Sequence, residues 1–204
     1  MIWLAFASLF SAPAPVGTYP WFSIDDIPAR ILSEREQYSL LVRALVSPTG
    51  VLQGCEIERS VPDTALDAYT CSLVKARAKL RPAKWIDGLP VEGVHRSWVV
   101  WTVQPSIRKH DTDLIVTVGQ FPKGVRSPAY FPIIFAADEK GAPLACGPQN
   151  GDENPALIGL VCGEFVKRFV AIPPKNRNGA LVHSVQNATV MLGCRLINAQ
   201  PQAH

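Results

Sequence analysis

The sequence predicts an α+β fold: two tandem small domains, each a helix packed on a small antiparallel sheet in the order strand, strand, helix, strand. Three observations carry this. Cys55 and Cys71 are sixteen positions apart, and so are Cys146 and Cys162. A shift of ninety-one residues lays the first pair on the second without a gap, and lays Gly50 on Gly141, Leu66 on Leu157, Pro82 on Pro173, Gly88 on Gly179 and Val91 on Val182. Cysteine, glycine and proline answer to cross-links and backbone geometry, so their joint recurrence marks an internal repeat. In each copy, two β-rich runs precede a stretch with helical spacing of its apolar residues, and a further β-rich run follows.

The amino-terminal run, residues 1–14, is apolar but too short to cross a bilayer as a helix. It reads as an export signal with Ala12 and Ala14 at the cleavage site, residues 1–19 forming signal and linker. The other reading is a buried amino-terminal strand. Pro13, Pro15, Gly17 and Pro20 punctuate the linker.

The first domain is placed at 20–103, opening on Asp25-Asp26-Ile27-Pro28. Residues 38–46 (YSLLVRALV) form a strand. Ser47-Pro48-Thr49-Gly50 turns the chain, with Pro48 setting φ and Gly50 free to take a positive φ. Residues 51–59 return as the second arm of a hairpin. Asp63 or Thr64 caps a helix whose apolar positions run Leu66, Tyr69 or Thr70, Leu73 or Val74, and Leu80. Arg81-Pro82 ends it, because the residue before proline avoids the α region. A turn at Asp87-Gly88 leads to a long third strand, 91–103.

Residues 104–128 connect the copies and contain one more strand, 113–119 (DLIVTVG). The second domain is placed at 129–197. Residues 130–137 are its first strand, Asp138 to Gly141 its turn, and 143–147 its second strand with Cys146. Asn154-Pro155 opens a helix with Leu157, Leu160, Val161, Cys162, Phe165 and Phe169, and Pro173-Pro174 closes it. Asn176 to Gly179 mirrors the earlier turn, and 181–194 is the last strand. The polar tail, 198–204, is loose.

The chemistry rests on the cysteines. A helix packed on a sheet brings such positions within bridging distance, so Cys55–Cys71 and Cys146–Cys162 are expected to be disulfides. The alternative is four small buried hydrophobes. Cys194 aligns with Val103 and reads as a packed apolar residue or a lone thiol for dimerisation. The four histidines show no metal-ligand spacing, and neither a nucleophile elbow nor a phosphate loop is present. Asp25-Asp26 reads as a polar loop start. No catalytic residue, cofactor, metal or small-molecule substrate is expected. The net charge of +3 is mild, and Lys75, Arg77, Lys79, Arg81 and Lys84 read as a solvated helix end, which argues against nucleic acid. Paired cysteines also fit an oxidising compartment.

Residues 20–103 resemble the carboxy-terminal domain of the TonB family. The resemblance rests on Asp26-Ile27-Pro28, Ser47-Pro48-Thr49-Gly50-Val51, Ser60, Ala65-Leu66-Asp67, Leu80-Arg81-Pro82-Ala83 and Asp87-Gly88-Leu89-Pro90-Val91. The second copy is diverged: it keeps Gly141, Pro173, Gly179 and Val182 but has Leu157-Ile158 where the first has Leu66-Asp67. The resemblance implies a non-catalytic protein of the bacterial envelope, periplasmic or secreted, related to transport across the outer membrane. It implies binding of an envelope protein or peptide segment by strand addition to the third strand. Here that strand carries Val94, Arg96, Trp98, Val100 and Trp101, and its copy is 185–194. Trp98 and Trp101 face opposite sides. Neither the family's membrane anchor nor its proline-rich spacer is expected from these residues. Two further readings stay open: a self-associating structural component of the envelope, and a secreted enzyme with a cleft between the copies. The two third strands could also pair with each other.

Overall fold

The computed structural model describes residues 10–17, 21–103, 112–121, 125–151 and 154–194, with only the backbone of Cys194. The core of the expected export signal, residues 1–9, and the tail at 198–204 lie outside the described residues.

The fold mixes helix and sheet. After β1 (Ala14–Pro15) and the short helix α1 (Ala29–Glu34) come β2 (Tyr38–Val46), β3 (Leu52–Arg59), α2 (Thr64–Arg77), the two-residue strands β4 (Leu80–Arg81), β5 (Ala83–Lys84) and β6 (Pro90–Val91), and β7 (Gly93–Trp101). β8 (Leu114–Val118) leads to β9 (Ala129–Ala137), β10 (Pro143–Pro148), α3 (Pro155–Arg168) and β11 (Ser184–Cys194). Strand β8 falls on the run expected at 113–119.

Boundaries in the two segments match at the ninety-one-residue shift. β2 and β9 correspond end to end, as do α2 and α3. The helix caps correspond too. Asp63 accepts from the amides of Ala65 and Leu66, and Asn154 from that of Ala156, which satisfies donors the first turn cannot bond internally. The turns repeat bond for bond. Gly50 donates to Ser47 O and Gly141 to Asp138 O; Gly88 donates to Trp85 O and Gly179 to Asn176 O. All four glycines hold a φ near +80°, a region that side chains resist.

Both helices stop sooner than their apolar spacing suggests, at Arg77 and Arg168. Leu80 and Phe169 fit the helical period but lie outside the helices. Leu80 instead pairs with Pro15. Residues just before a proline are pushed toward extended backbone, and here a partner strand takes them up.

The long strands of both segments lie in one seven-stranded sheet, and β1 with β4 and β5 with β6 form two-stranded pairs beside it. The order in the large sheet is β10-β9-β11-β7-β2-β3, with β8 also on β11. Hairpin pairs are antiparallel, but β7 and β11 meet in parallel at Gly93–Val185 and Val94–Gln186. Side chains alternate along a strand, so this register fixes the faces. Leu40, Val42, Ala44, Val46, Val99 and Trp101 form one core with Leu66 and Val74 of α2. Phe131, Ile133, Phe135, Ala188, Val190 and Leu192 form another with Val161 and Phe165 of α3. Gly93 shares a face with Val99 and Trp101, whereas its partner Val185 is opposite in phase to Val190 and Leu192. The two helices therefore cover opposite faces of the sheet.

Each post-helix segment crosses to the other half. Ala83 and Val91 pack on Ile134, Ala136 and Val185. On the opposite face, Ile172 O receives bonds from Arg43 Nη2 at 2.6 Å and Gln186 Nε2 at 3.1 Å. Among the described residues no helix is long and apolar enough to cross a membrane.

Candidate functional site

Both expected bridges are present. Cys55–Cys71 ties β3 to α2, and Cys146–Cys162 ties β10 to α3, each with Cα atoms 5.5 Å apart. Two disulfides fit an oxidising compartment.

The strand expected to bind a partner is β7, in the middle of the sheet. Its inner edge pairs with β2 over its whole length, Tyr38–Trp101 to Val46–Gly93. Its outer edge pairs with β11 at Gly93 and Val94 only. One residue further, the Asn187 carboxamide stands in for a strand: Arg96 N donates to its Oδ1 at 2.8 Å, and its Nδ2 donates to Arg96 O at 2.7 Å. Arg96 and Asn187 are themselves counterparts at the ninety-one-residue shift. Beyond them β11 leaves β7 and takes β8 as its neighbour, Leu114–Val190 to Val118–Cys194. No described strand pairs with the outer edge of β7 from Ser97 to Trp101.

Asp113 sits in the fork. Its Oδ2 accepts from Thr189 N at 2.7 Å, and its Oδ1 lies 2.7 Å from Arg96 Nη2, a charge contact off hydrogen-bond alignment. Arg96 is the hub: its side chain is 2% exposed. It grips Glu58 through Nε at 2.9 Å and Nη2 at 2.7 Å, donates to Asn187 O, and lies 5.4 Å from the Phe169 ring centre. Burial works against the Arg96 cation, but the Glu58 bonds and the charges of Asp113 and Glu58 raise its pKa above the usual value. Arg43 lies beside it, bonded to Glu56 at 2.6 Å and 3.7 Å from Glu58. Its pKa is lowered, first by burial and also by the neighbouring Arg96, with Glu56 and Glu58 opposing.

The Arg96 side chain, on the strand expected to bind a partner, is consumed inside the molecule. Val94 and Trp101 are also buried, Trp101 giving its indole N–H to Thr70 at 2.9 Å. Of the five expected contact side chains, Trp98 and Val100 remain half-exposed. Trp98 lies under the Arg59 guanidinium, 5.2 Å from the ring centre, and its buried indole nitrogen has no acceptor among the described residues. Cys194 ends β11 opposite Val118; its side chain lies outside the described residues.

A second edge was not foreseen. Residues 10–16, which span the end of the expected export signal and the start of its linker, lie along the edge formed by residues 79–84. Ala14–Pro15 pairs with Arg81–Leu80. Ser11 and Lys84 exchange two backbone bonds, 3.1 and 2.9 Å, and Val16 N donates to Lys79 O at 2.9 Å. Phe10 is 6% exposed among Ala83, Val91, Ile134, Ala136 and Val185. Pro13 O lies 3.1 Å from His95 Nδ1. Burial lowers the His95 pKa more than this bond raises it, and Nδ1 is the donor to Pro13 O. Only Phe10 and the prolines' neighbours hinted at this in the sequence, as an aromatic preceding alternating small residues.

An open cleft of about 350 Å³ joins the two segments on the α3 face, lined by Leu45, Val51, Gln53, Lys175, Asn176 and Arg177. Among the described residues no group of three or more His, Cys, Asp or Glu side chains could hold a metal ion. Comparison of the chain with protein-family models, curated proteins and solved structures finds no match.

Proposed function

We propose that this protein is a non-catalytic envelope module, built from two tandem units like the TonB carboxy-terminal domain, that binds an extended segment of an envelope protein. The shared element boundaries, caps, turns and disulfides at one constant shift support the repeat. The observation that carries the binding role is the outer edge of β7, which has no described strand partner from Ser97 to Trp101 although its inner edge is fully paired. An unpaired edge is a template for a further strand. In β7 the backbone groups of Arg96 point outward to Asn187, so those of Trp98 and Val100 share that direction. An added strand gives them partners. The Arg96–Asp113–Asn187 clamp fixes where the edge opens.

The test uses the full chain with a photo-reactive residue at Ser97, where the unpaired edge begins. Capture of an envelope protein, followed by slowed amide exchange at Trp98 and Val100 on adding that protein in purified form, is the expected result. Val100→Pro removes an edge donor and should abolish both the capture and the slowed exchange at Trp98. Capture that survives Val100→Pro, or protection elsewhere on the surface, defeats the reading.

A further inference from the structure

We propose that the groove holding residues 10–16 is a peptide-docking site, occupied in cis by the chain's own segment, whose trans ligand is a partner's extended segment with an aromatic residue followed three positions on by proline. This site is separate from the β7 edge. Its walls are the Lys79–Lys84 edge on one side and the sheet on the other. Lys84 gives both its N–H and its C=O to Ser11, and Lys79 O accepts from Val16. Gly93 forms the floor: a Cβ there would overlap the Pro13 ring. Ile134, Ala136, Val185, Ala83 and Val91 form the apolar socket for Phe10, and Gly147 lies 3.8 Å from its ring tip when given a Cβ.

The matching place in the other half shows that the fold does not need such a segment. Ile134 corresponds to Arg43, His95 to Gln186, Gly93 to Ser184 and Gly147 to Glu56. There the long side chains of Arg43 and Gln186 enter the space and bond Ile172 O, the counterpart of Arg81 O. Ser184, fully buried, is bonded by Gln186 Nε2 at 3.1 Å. In that half no segment of the chain is needed: Arg43 and Gln186 take part of the space, and Leu45 and Lys175, the counterparts of Ala136 and Lys84, line the open cleft. The other half keeps a glycine, a small apolar socket and an edge that accepts a strand, the features of a site for an extended chain.

The cis occupant is lightly held. Only Phe10 and Pro13 of residues 10–16 are buried, its backbone pairing is confined to Ser11, Ala14–Pro15 and Val16, and neither disulfide touches it. Segments with few buried contacts open with small free energies. Binding in trans is therefore a competition with a tethered ligand, and the tether makes the wild-type groove largely closed to dilute peptide.

The probe is a labelled synthetic peptide, Phe-Ser-Ala-Pro-Ala-Pro-Val, read by anisotropy. In the full chain, Phe10→Ala with Pro13→Gly weakens the cis occupant. This variant should bind the probe at least tenfold more tightly than wild type, and a probe with alanine in place of its phenylalanine should lose that gain. Adding Gly93→Ala, whose Cβ meets both Pro13 and Ala83, should abolish binding while β2 exchange stays native. The Lys84 amide should exchange slowly in wild type, fast in the variant, and slowly again with probe. If Lys84 is freed and the variant, native in β2 exchange, ignores the probe, the proposal falls; it falls equally if Lys84 stays protected without Phe10 and Pro13. Should the variant not fold, excess probe on wild type is expected to speed exchange at Ser11 and Val16 while Lys84 stays slow, and no displacement up to the solubility limit overturns the idea. A wild-type dimer that exchanges residues 10–16 between copies would assign the groove to a second copy and overturn the partner.

Discussion

Gly50 and Gly141 end matching turns, yet they are not under equal pressure. Both have φ above +80°. A Cβ on Gly141 would overlap the Ala171 carbonyl, whereas one on Gly50 meets Leu80 O at 3.1 Å and one on Gly88 meets nothing within 4 Å. Backbone strain alone costs alanine about 1 kcal/mol at such a φ. Gly88→Ala should therefore lose about that much, and Gly141→Ala more than twice as much, in urea unfolding; equal losses would remove the steric account. These glycines were legible because a turn that needs a positive φ leaves few residue choices. Asp26 was not: beside Asp25 it reads as loop polarity, but it is 8% exposed and bonded by Arg77 Nη1 at 2.6 Å, Arg77 Nη2 at 2.8 Å and Ser23 N at 2.7 Å. The Arg77 bonds first, then the Ser23 amide, hold its pKa well below the ordinary carboxylate range. A carboxylate depressed on folding contributes stability above its unfolded pKa of about 3.9 and loses it as the pH falls toward the folded value. The wild-type urea midpoint should fall between about pH 5 and pH 2. Asp26→Asn should start lower at pH 7 and fall less over that window; parallel curves would mean the Arg77 contact is worth nothing to folding.

At the scale of elements, caps, turns and cross-links were read well and lengths less well. Asp63, Asn154 and the cysteines act locally, through donors within one turn or through a fixed bridging distance, so spacing alone places them. The helix ends were overrun because Leu80 and Phe169 keep the period while answering to partners far away: Leu80 pairs with Pro15, and Phe169 stacks on Phe165 and sits by Arg96. The bridges also give the cleanest comparison between the halves. Each closes a sixteen-residue separation, so restriction of the unfolded chain predicts the same stabilisation for both, roughly 3 kcal/mol. Replacing either pair by alanine should lower stability by about that amount under oxidising conditions, and reductant should have no further effect only when both pairs are absent. Native protein in which Cys55, Cys71, Cys146 and Cys162 all react with an alkylating reagent would contradict both bridges.

The whole molecule was the least legible scale. A parallel contact between β7 and β11, whose partners lie ninety-two residues apart, leaves no local trace: neither a turn nor a helix announces it. Val94, Val99, Val100 and their neighbours are apolar in both phases, which is what a strand covered on two faces requires. The sequence could therefore show two similar halves but not that they share a sheet and exchange their post-helix segments. That sharing has a thermodynamic consequence. The join holds few backbone bonds, so much of its strength lies in Arg96, which links Glu58 on β3, Asn187 on β11 and Asp113 at the start of β8. Removing one partner from a buried ion network leaves the others charged and dry, at a cost of about 3–5 kcal/mol. The wild-type protein should unfold in one calorimetric transition with van't Hoff and calorimetric enthalpies equal, since neither half keeps its covering without the other. Arg96→Ala should lower stability by about 3–5 kcal/mol and Arg96→Lys by less, because lysine keeps the charge but not the forked bonds to Glu58. If Arg96→Ala stays within about 0.5 kcal/mol of wild type, as surface substitutions do, the fork is not what binds the halves, and two separate transitions in the parent protein would mean that each half stands alone.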